Sequence, residues 1–116
     1  MTKVYKSLSE TLPDLVLLAT HDPNVTFLLA NELLKDSNGL GVVPRQDGFL
    51  ANSAVIHSML DEGLIIYNTP YARRRYYEGS NTGQLMWVEA TAKKNYQKYK
   101  KMLNKAMDQK KEEMLK

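Results

Sequence analysis

Leu85, Val88, Ala92, Tyr96, Tyr99, Leu103 and Ala106 follow one another at steps of 3, 4, 4, 3, 4 and 3 residues. That spacing lays one apolar stripe along a helix. A helix so striped must bury its stripe on other elements, so the rest of the chain has to supply a core. Past Ala106 the stripe weakens and Asp108 to Lys116 is mostly charged, so the helix is expected to project or fray there.

A second amphipathic helix is expected from Asn24 to Ser37, where Val25, Leu28, Leu29 and Leu33 recur at helical spacing. His21-Asp22-Pro23 precedes it; Asp22 can cap the helix and Pro23 suits its first turn. Asn38-Gly39 is expected to end it in a left-handed cap. Leu40 to Leu50 contains glycine, proline and an Asp-Gly pair and reads as a loop. From Phe49 to Met59 two readings stay open. Phe49, Ala51, Ser53, Val55, His57 and Met59 share one parity, as in a strand covered on both faces; a short helix turning into a strand fits equally. Asp61-Glu62-Gly63 is then a hairpin turn and Leu64 to Asn68 the returning strand. Pro70 suits the start of a short helix over Tyr71 to Glu78, and Gly79 to Gly83 is a flexible loop. Residues 1–12 read as an extended or loosely ordered arm, and Asp14 to Thr20 is an apolar run of undecided type.

The fold class these elements imply is α+β: a small antiparallel sheet packed by an N-terminal amphipathic helix and a long C-terminal helix. With 116 residues the chain is expected to form one domain. Within it, 1–20 is the arm or short element, 24–106 the core and 107–116 the charged helical tail.

The net charge of +3 conceals an asymmetry. Residues 1–89 carry seven basic and ten acidic side chains; residues 90–116 carry nine lysines and three acids. A basic helical tail can bind nucleic acid or an acidic protein surface, and it can equally be a solvated face. Hydrophobic residues at 43% exclude the class that stays disordered. The chain has no cysteine, hence no disulfide, thiolate zinc site or thiol nucleophile, and a reducing compartment is expected. Leu12 to Ala19 is too short and too interrupted to span a membrane, and no signal-peptide pattern is seen.

Nothing in the sequence supports catalysis, and neither cofactor nor metal is expected. His21 and His57 stand far apart without a supporting metal-ligand pattern. No Gly-x-Ser-x-Gly elbow occurs, Gly39-Leu40-Gly41 is not a phosphate loop, and Asp61-Glu62 lacks calcium-loop spacing. The densest functional cluster is Arg73-Arg74-Arg75 among Tyr71, Tyr76 and Tyr77. Arg and Tyr together suit a protein interface, or stacking on nucleic acid, or simply a helix with its tyrosines inward. Three consecutive arginines cannot share one helix face, so at least one is expected to point toward the fold or a neighbour.

Three segments, taken together, carry a resemblance. They are Val43-Pro44-Arg45-Gln46-Asp47-Gly48-Phe49-Leu50-Ala51-Asn52-Ser53, then Ile66-Tyr67-Asn68-Thr69-Pro70-Tyr71-Ala72-Arg73, then Trp87-Val88-Glu89-Ala90 opening a long basic helix. Their order and spacing over residues 24–106 resemble the minor capsid proteins of long-tailed bacteriophages, related to the head–tail joining and tail-completion proteins of the neck. The chain departs from that pattern in Gly79 to Met86, which is shorter and lacks the usual Pro-Gly character, so the loop facing a partner differs.

The resemblance implies a non-enzymatic virion component. It implies a homo-oligomeric ring, six- or twelve-fold, between the connector and the tail-terminator or tail-tube proteins, assembled in the host cytoplasm, with transient DNA contact in its lumen and no membrane. A ring needs heterologous contacts. Those are expected from Val43, Pro44, Arg45, Gln46, Asp47, Gly48 and Phe49 and from Gly79, Ser80, Asn81, Thr82 and Gly83. Tyr71, Arg73, Arg74, Arg75, Tyr76 and Tyr77 would form part of the same interface. The acids Asp36, Asp47, Asp61 and Glu62 would face the lysines of a neighbour. The alternative is a small basic nucleic-acid-binding module.

Overall fold

The sheet is made by the two segments farthest from obvious pairing. In the computed structural model, which describes residues 3–18, 22–39, 42–43, 48–79 and 85–114, β1 (Val4–Ser7) pairs antiparallel with β2 (Leu64–Tyr67), Val4 opposite Tyr67 and Ser7 opposite Leu64. The fold is α+β, a two-stranded sheet among helices. The arm is therefore an ordered structural element. Val4 and Lys6 turn inward while Tyr5 faces out, the period of two that a strand imposes. Ser7 ends the strand and caps α1 (Leu8–Thr11): its hydroxyl accepts from the Glu10 amide and the Glu10 carboxylate accepts from the Ser7 amide, each at 3.2 Å. Of the undecided run Asp14 to Thr20, the part up to Leu18 belongs to α2 (Pro13–Leu18), which buries Leu15; Ala19 and Thr20 lie outside the described residues.

α3 (Pro23–Ser37) starts as its sequence demands, with the Asp22 carboxylate accepting from the Asn24 amide at 2.9 Å and Pro23 in the first turn. Its end differs from expectation. Asn38 has φ −88°, and Gly39 is not left-handed either. The Asn38 side chain instead ties three elements together. Its Nδ2 donates to the Ala51 carbonyl at 3.1 Å, and its Oδ1 accepts from the Tyr67 hydroxyl at 2.6 Å.

Phe49 to His57 is a helix, α4, so the strand reading fails there. Leu50, Ala51, Ser53 and Ala54 form its buried face, a helical spacing that the alternation in sequence masked because both parities are apolar. The hairpin shrinks to a 3-10 turn over Leu60–Glu62 and a single bridge between Met59 and Leu64. Gly63 closes that turn at φ +70°, a conformation open to glycine.

α5 (Ala72–Glu78) begins two residues after Pro70, so that proline lies in the turn before the helix and not in its first turn. The long C-terminal helix is two: α6 (Trp87–Lys94) and α7 (Tyr96–Met114), with Asn95 between them. Leu85 precedes α6 and is exposed; Trp87 is buried instead. Val88, Ala92, Tyr99 and Leu103 carry the expected stripe into the core, with Tyr96 and Ala106 packed at its edge.

One apolar cluster runs from Val4 to Leu103 and joins β1, β2 and every helix from α1 to α7. α7 lies antiparallel on α3: Lys98 and Tyr99 meet Asp36, while Ala106 and Gln109 line a groove with Val25 and Leu28. Nineteen residues of α helix span about 28 Å. The molecule is accordingly drawn out, 51 Å along its longest axis against 23 and 21 Å. Among the described residues no helix is long and apolar enough to cross a membrane.

Candidate functional site

The Tyr-Arg cluster sits on α5, and the structure divides it into an inner and an outer half. Tyr76 is fully buried. Its ring meets Trp87 edge-on at 4.5 Å, and Trp87 meets Tyr67 the same way at 5.1 Å. Its hydroxyl donates to Glu89 of α6. Lys6 of β1 closes the group: its Nζ lies 3.2 Å from Glu89 Oε1, 5.3 Å from the centre of the Tyr76 ring and 5.5 Å from that of Tyr77. Tyr76 was expected at a surface of contact; it belongs to the core, because its ring fills the space between β1 and α6.

The electrostatics of this group follow from burial. Burial pushes the Tyr76 phenol well above its ordinary range, and the neighbouring Glu89 carboxylate pushes it further. Burial alone would lower the Lys6 ammonium; the contacts with Tyr77 and Glu89 outweigh it and hold it above its ordinary value. Lys6 therefore stays charged and Tyr76 neutral throughout the physiological range.

The outer half faces solvent. Tyr77 is 41% exposed, with the Arg73 guanidinium 5.1 Å from its ring centre. Arg74 pairs with Glu78 at 3.2 Å, one helical turn on. Arg75 is half-buried, so the three arginines do point in different directions. Tyr71 packs at the edge of the core.

The other expected contact residues scatter. Val43 is buried, a core residue and not a contact. Gly48 adopts φ +81° ahead of α4, and Phe49 is 65% exposed. Gly79 follows α5 directly. Pro44, Arg45, Gln46 and Asp47, as well as Ser80, Asn81, Thr82 and Gly83, lie outside the described residues, as does His21. Asp36 is not offered to a neighbour: its carboxylate holds Lys98 at 2.8 Å and accepts from the Tyr99 hydroxyl at 2.7 Å, with Glu32 3.4 Å from Lys98. The antiparallel packing of α3 and α7 places these groups together. Asp61 and Glu62 are exposed on the 3-10 turn, and Lys93, Lys94, Lys100, Lys101, Lys105 and Lys111 are exposed on α6 and α7.

Sequence reasoning missed Lys6 and Glu89, which only the fold brings to Tyr76. It also missed the outward side of α4, where Val55 and Ile56 are 66% and 74% exposed. The available signal was that Phe49 to His57 contains no Asp, Glu, Lys or Arg.

Among the described residues no group of three His, Cys, Asp or Glu could hold a metal ion. His57 is exposed at the end of α4. Comparison with known proteins finds no matching family model, no matching curated protein and no matching solved structure.

Proposed function

We propose that this chain is a structural adaptor of the phage neck, a ring-forming protein that joins head to tail by contact and without catalysis. The observation that carries the reading is the mutual packing of the segments on which the resemblance rests. Tyr67 from the second segment and Trp87 from the third meet ring to ring, and Leu50 and Ala51 from the first lie in the same core. That common packing is what supports the reading. The exposed Tyr77 and Arg73 and the outward side of α4 supply surface for neighbours.

The test is made on virions. Purified particles are expected to contain the chain at a fixed ratio to the portal. Phage lacking its gene are expected to accumulate DNA-filled heads and detached tails. Normally joined particles without the chain would overturn the reading.

The second reading, a nucleic-acid-binding module, is favoured by the exposed lysines of α6 and α7. It requires DNA affinity that falls steeply with salt. A gel-shift titration showing binding at micromolar protein and physiological salt would favour it over the first.

A further inference from the structure

Asn38 is the one asparagine of this chain that is followed by glycine. In such a pair the glycine nitrogen can attack the asparagine side-chain carbonyl, because glycine has no Cβ to obstruct the approach and turns its backbone freely. The product is a five-membered succinimide. The Gly39 nitrogen gives up its proton, its new bond to Asn38 Cγ replaces the bond to Nδ2, and ammonia leaves. Water then opens the ring to an aspartate or isoaspartate at position 38. Water is the only reactant that comes from outside the chain.

The folded chain holds both reacting atoms off that path. Closing the ring requires the Asn38 C–N bond to eclipse Cα–Cβ. At ψ 9° it eclipses Cα–N instead, which turns the Gly39 nitrogen away from the side chain. Two hydrogen bonds keep ψ there: the Gly39 amide donates to the Asp36 carbonyl at 3.2 Å, and the Gly39 carbonyl accepts from the Val42 amide at 3.1 Å. The side chain is held at both ends as well. Nδ2 donates to the Ala51 carbonyl at 3.1 Å and Oδ1 accepts from the Tyr67 hydroxyl at 2.6 Å. Tyr67 and Ala51 are both buried, so each anchor is part of the core.

We propose that Asn38-Gly39 is a self-modification site gated by this tie among α3, α4 and β2. It reacts only in molecules in which Asn38 has let go of Ala51 and Tyr67. The Tyr67 bond could act in either direction, and geometry decides which. Donation to Oδ1 polarises Cγ toward attack, but with the nitrogen turned away the bond restrains the side chain and protects it. The reaction also removes the means of closing again. A carboxylate has no hydrogen to give the Ala51 carbonyl, and isoaspartate adds a backbone atom where α3 ends. A chain that has opened is thereby marked irreversibly.

Trypsin releases residues 36–45, in which Asn38 is the only side-chain amide, so the mass gain of deamidation reports this site alone. The full-length chain is incubated in mildly alkaline buffer, folded without urea and unfolded with it. The folded chain is expected to convert roughly tenfold more slowly, or slower still. That comparison needs no variant. Tyr67→Phe, checked for a parental circular-dichroism spectrum, is expected to convert several-fold faster than the folded parent. Tyr76→Phe loses a hydroxyl bond elsewhere in the core and is expected to stay near the parental rate. Converted chains returned to buffer are expected to unfold at lower urea than the parent. Equal rates in folded and unfolded parent, a Tyr67→Phe chain no faster than the parent or matched by Tyr76→Phe, or converted chains with the parental urea midpoint would each overturn the proposal. None of these readouts depends on the neck reading.

Discussion

At the scale of single residues, Glu89 holds more than its own place. It accepts from Tyr76 and neutralises Lys6, whose side chain is only 10% exposed. Removing the carboxylate leaves an ammonium nearly without water, facing two aromatic rings that cannot replace a counter-charge. Glu89→Ala should therefore cost about 1–3 kcal/mol in urea unfolding. Lys6→Met should cost less, about 1 kcal/mol or below, because Glu89 is 30% exposed and keeps both water and the Tyr76 hydroxyl. Equal losses in the two variants would show that the pair is not asymmetric in burial. Trp87, fully buried between Tyr67 and Tyr76, has no such alternative; Trp87→Ala should cost about 3–5 kcal/mol.

At the scale of elements, Gly63 and Gly48 share a positive φ but differ in surroundings. A Cβ on Gly63 would lie 3.1 Å from Thr26 Cγ2 and 3.3 Å from the Leu8 side chain, whereas one on Gly48 would meet nothing within 4 Å. Gly48→Ala should cost about 1–2 kcal/mol for backbone conformation. Gly63→Ala should cost more, since the turn, α1 and α3 must also move apart. Comparable urea midpoints for the two variants would contradict the close packing of that turn. Such contacts also mark where sequence reading stopped. α3 and the C-terminal stripe were legible because their period and their start are local signals. The strand β1 was not, because what makes Val4–Ser7 a strand is pairing with Leu64–Tyr67, some sixty positions away. Phe49 to His57 stayed open for a different reason: with apolar residues at both parities, period two and period 3.6 fit it equally well, and the helix is the one the fold takes. The candidate site divides likewise. Tyr76, Tyr77 and Arg73 stood out as a cluster in sequence, but which ring turns inward depends on Trp87 and on Lys6, and neither lies near them in the chain.

At the scale of the whole molecule, three buried phenols set how the fold meets alkali. Tyr67, Tyr76 and Tyr99 all have pKa values raised above the ordinary 10.0, in each case chiefly by burial; the Glu89 and Asp36 carboxylates raise Tyr76 and Tyr99 further. Tyr67 and Tyr76 flank Trp87, and Tyr99 lies against Asp36 of α3. In the unfolded chain these phenols release protons from about pH 10 upward, while the folded chain keeps them. The unfolded state thus binds fewer protons, and stability falls as pH rises. Their contribution is complete below pH 10 and drains away above it; Lys6, raised from 10.5, adds loss in the same direction. These groups should therefore give stability no pH dependence near neutrality, and stability should drop above pH 10 at about 1.4 kcal/mol per pH unit for each buried phenol. Tyr76→Phe or Tyr99→Phe should each make that slope shallower by one such increment, even though each lowers stability at pH 7 by losing a hydrogen bond to a carboxylate. Urea unfolding at a series of pH values reads the slope, and tyrosinate absorbance reads the protons. The three phenols should ionise only as the far-ultraviolet circular dichroism collapses. Tyrosinate appearing at these positions while the helical signal persists would show that the core around Trp87 and Asp36 admits water, and with it that the segments carrying the resemblance are not locked together as described.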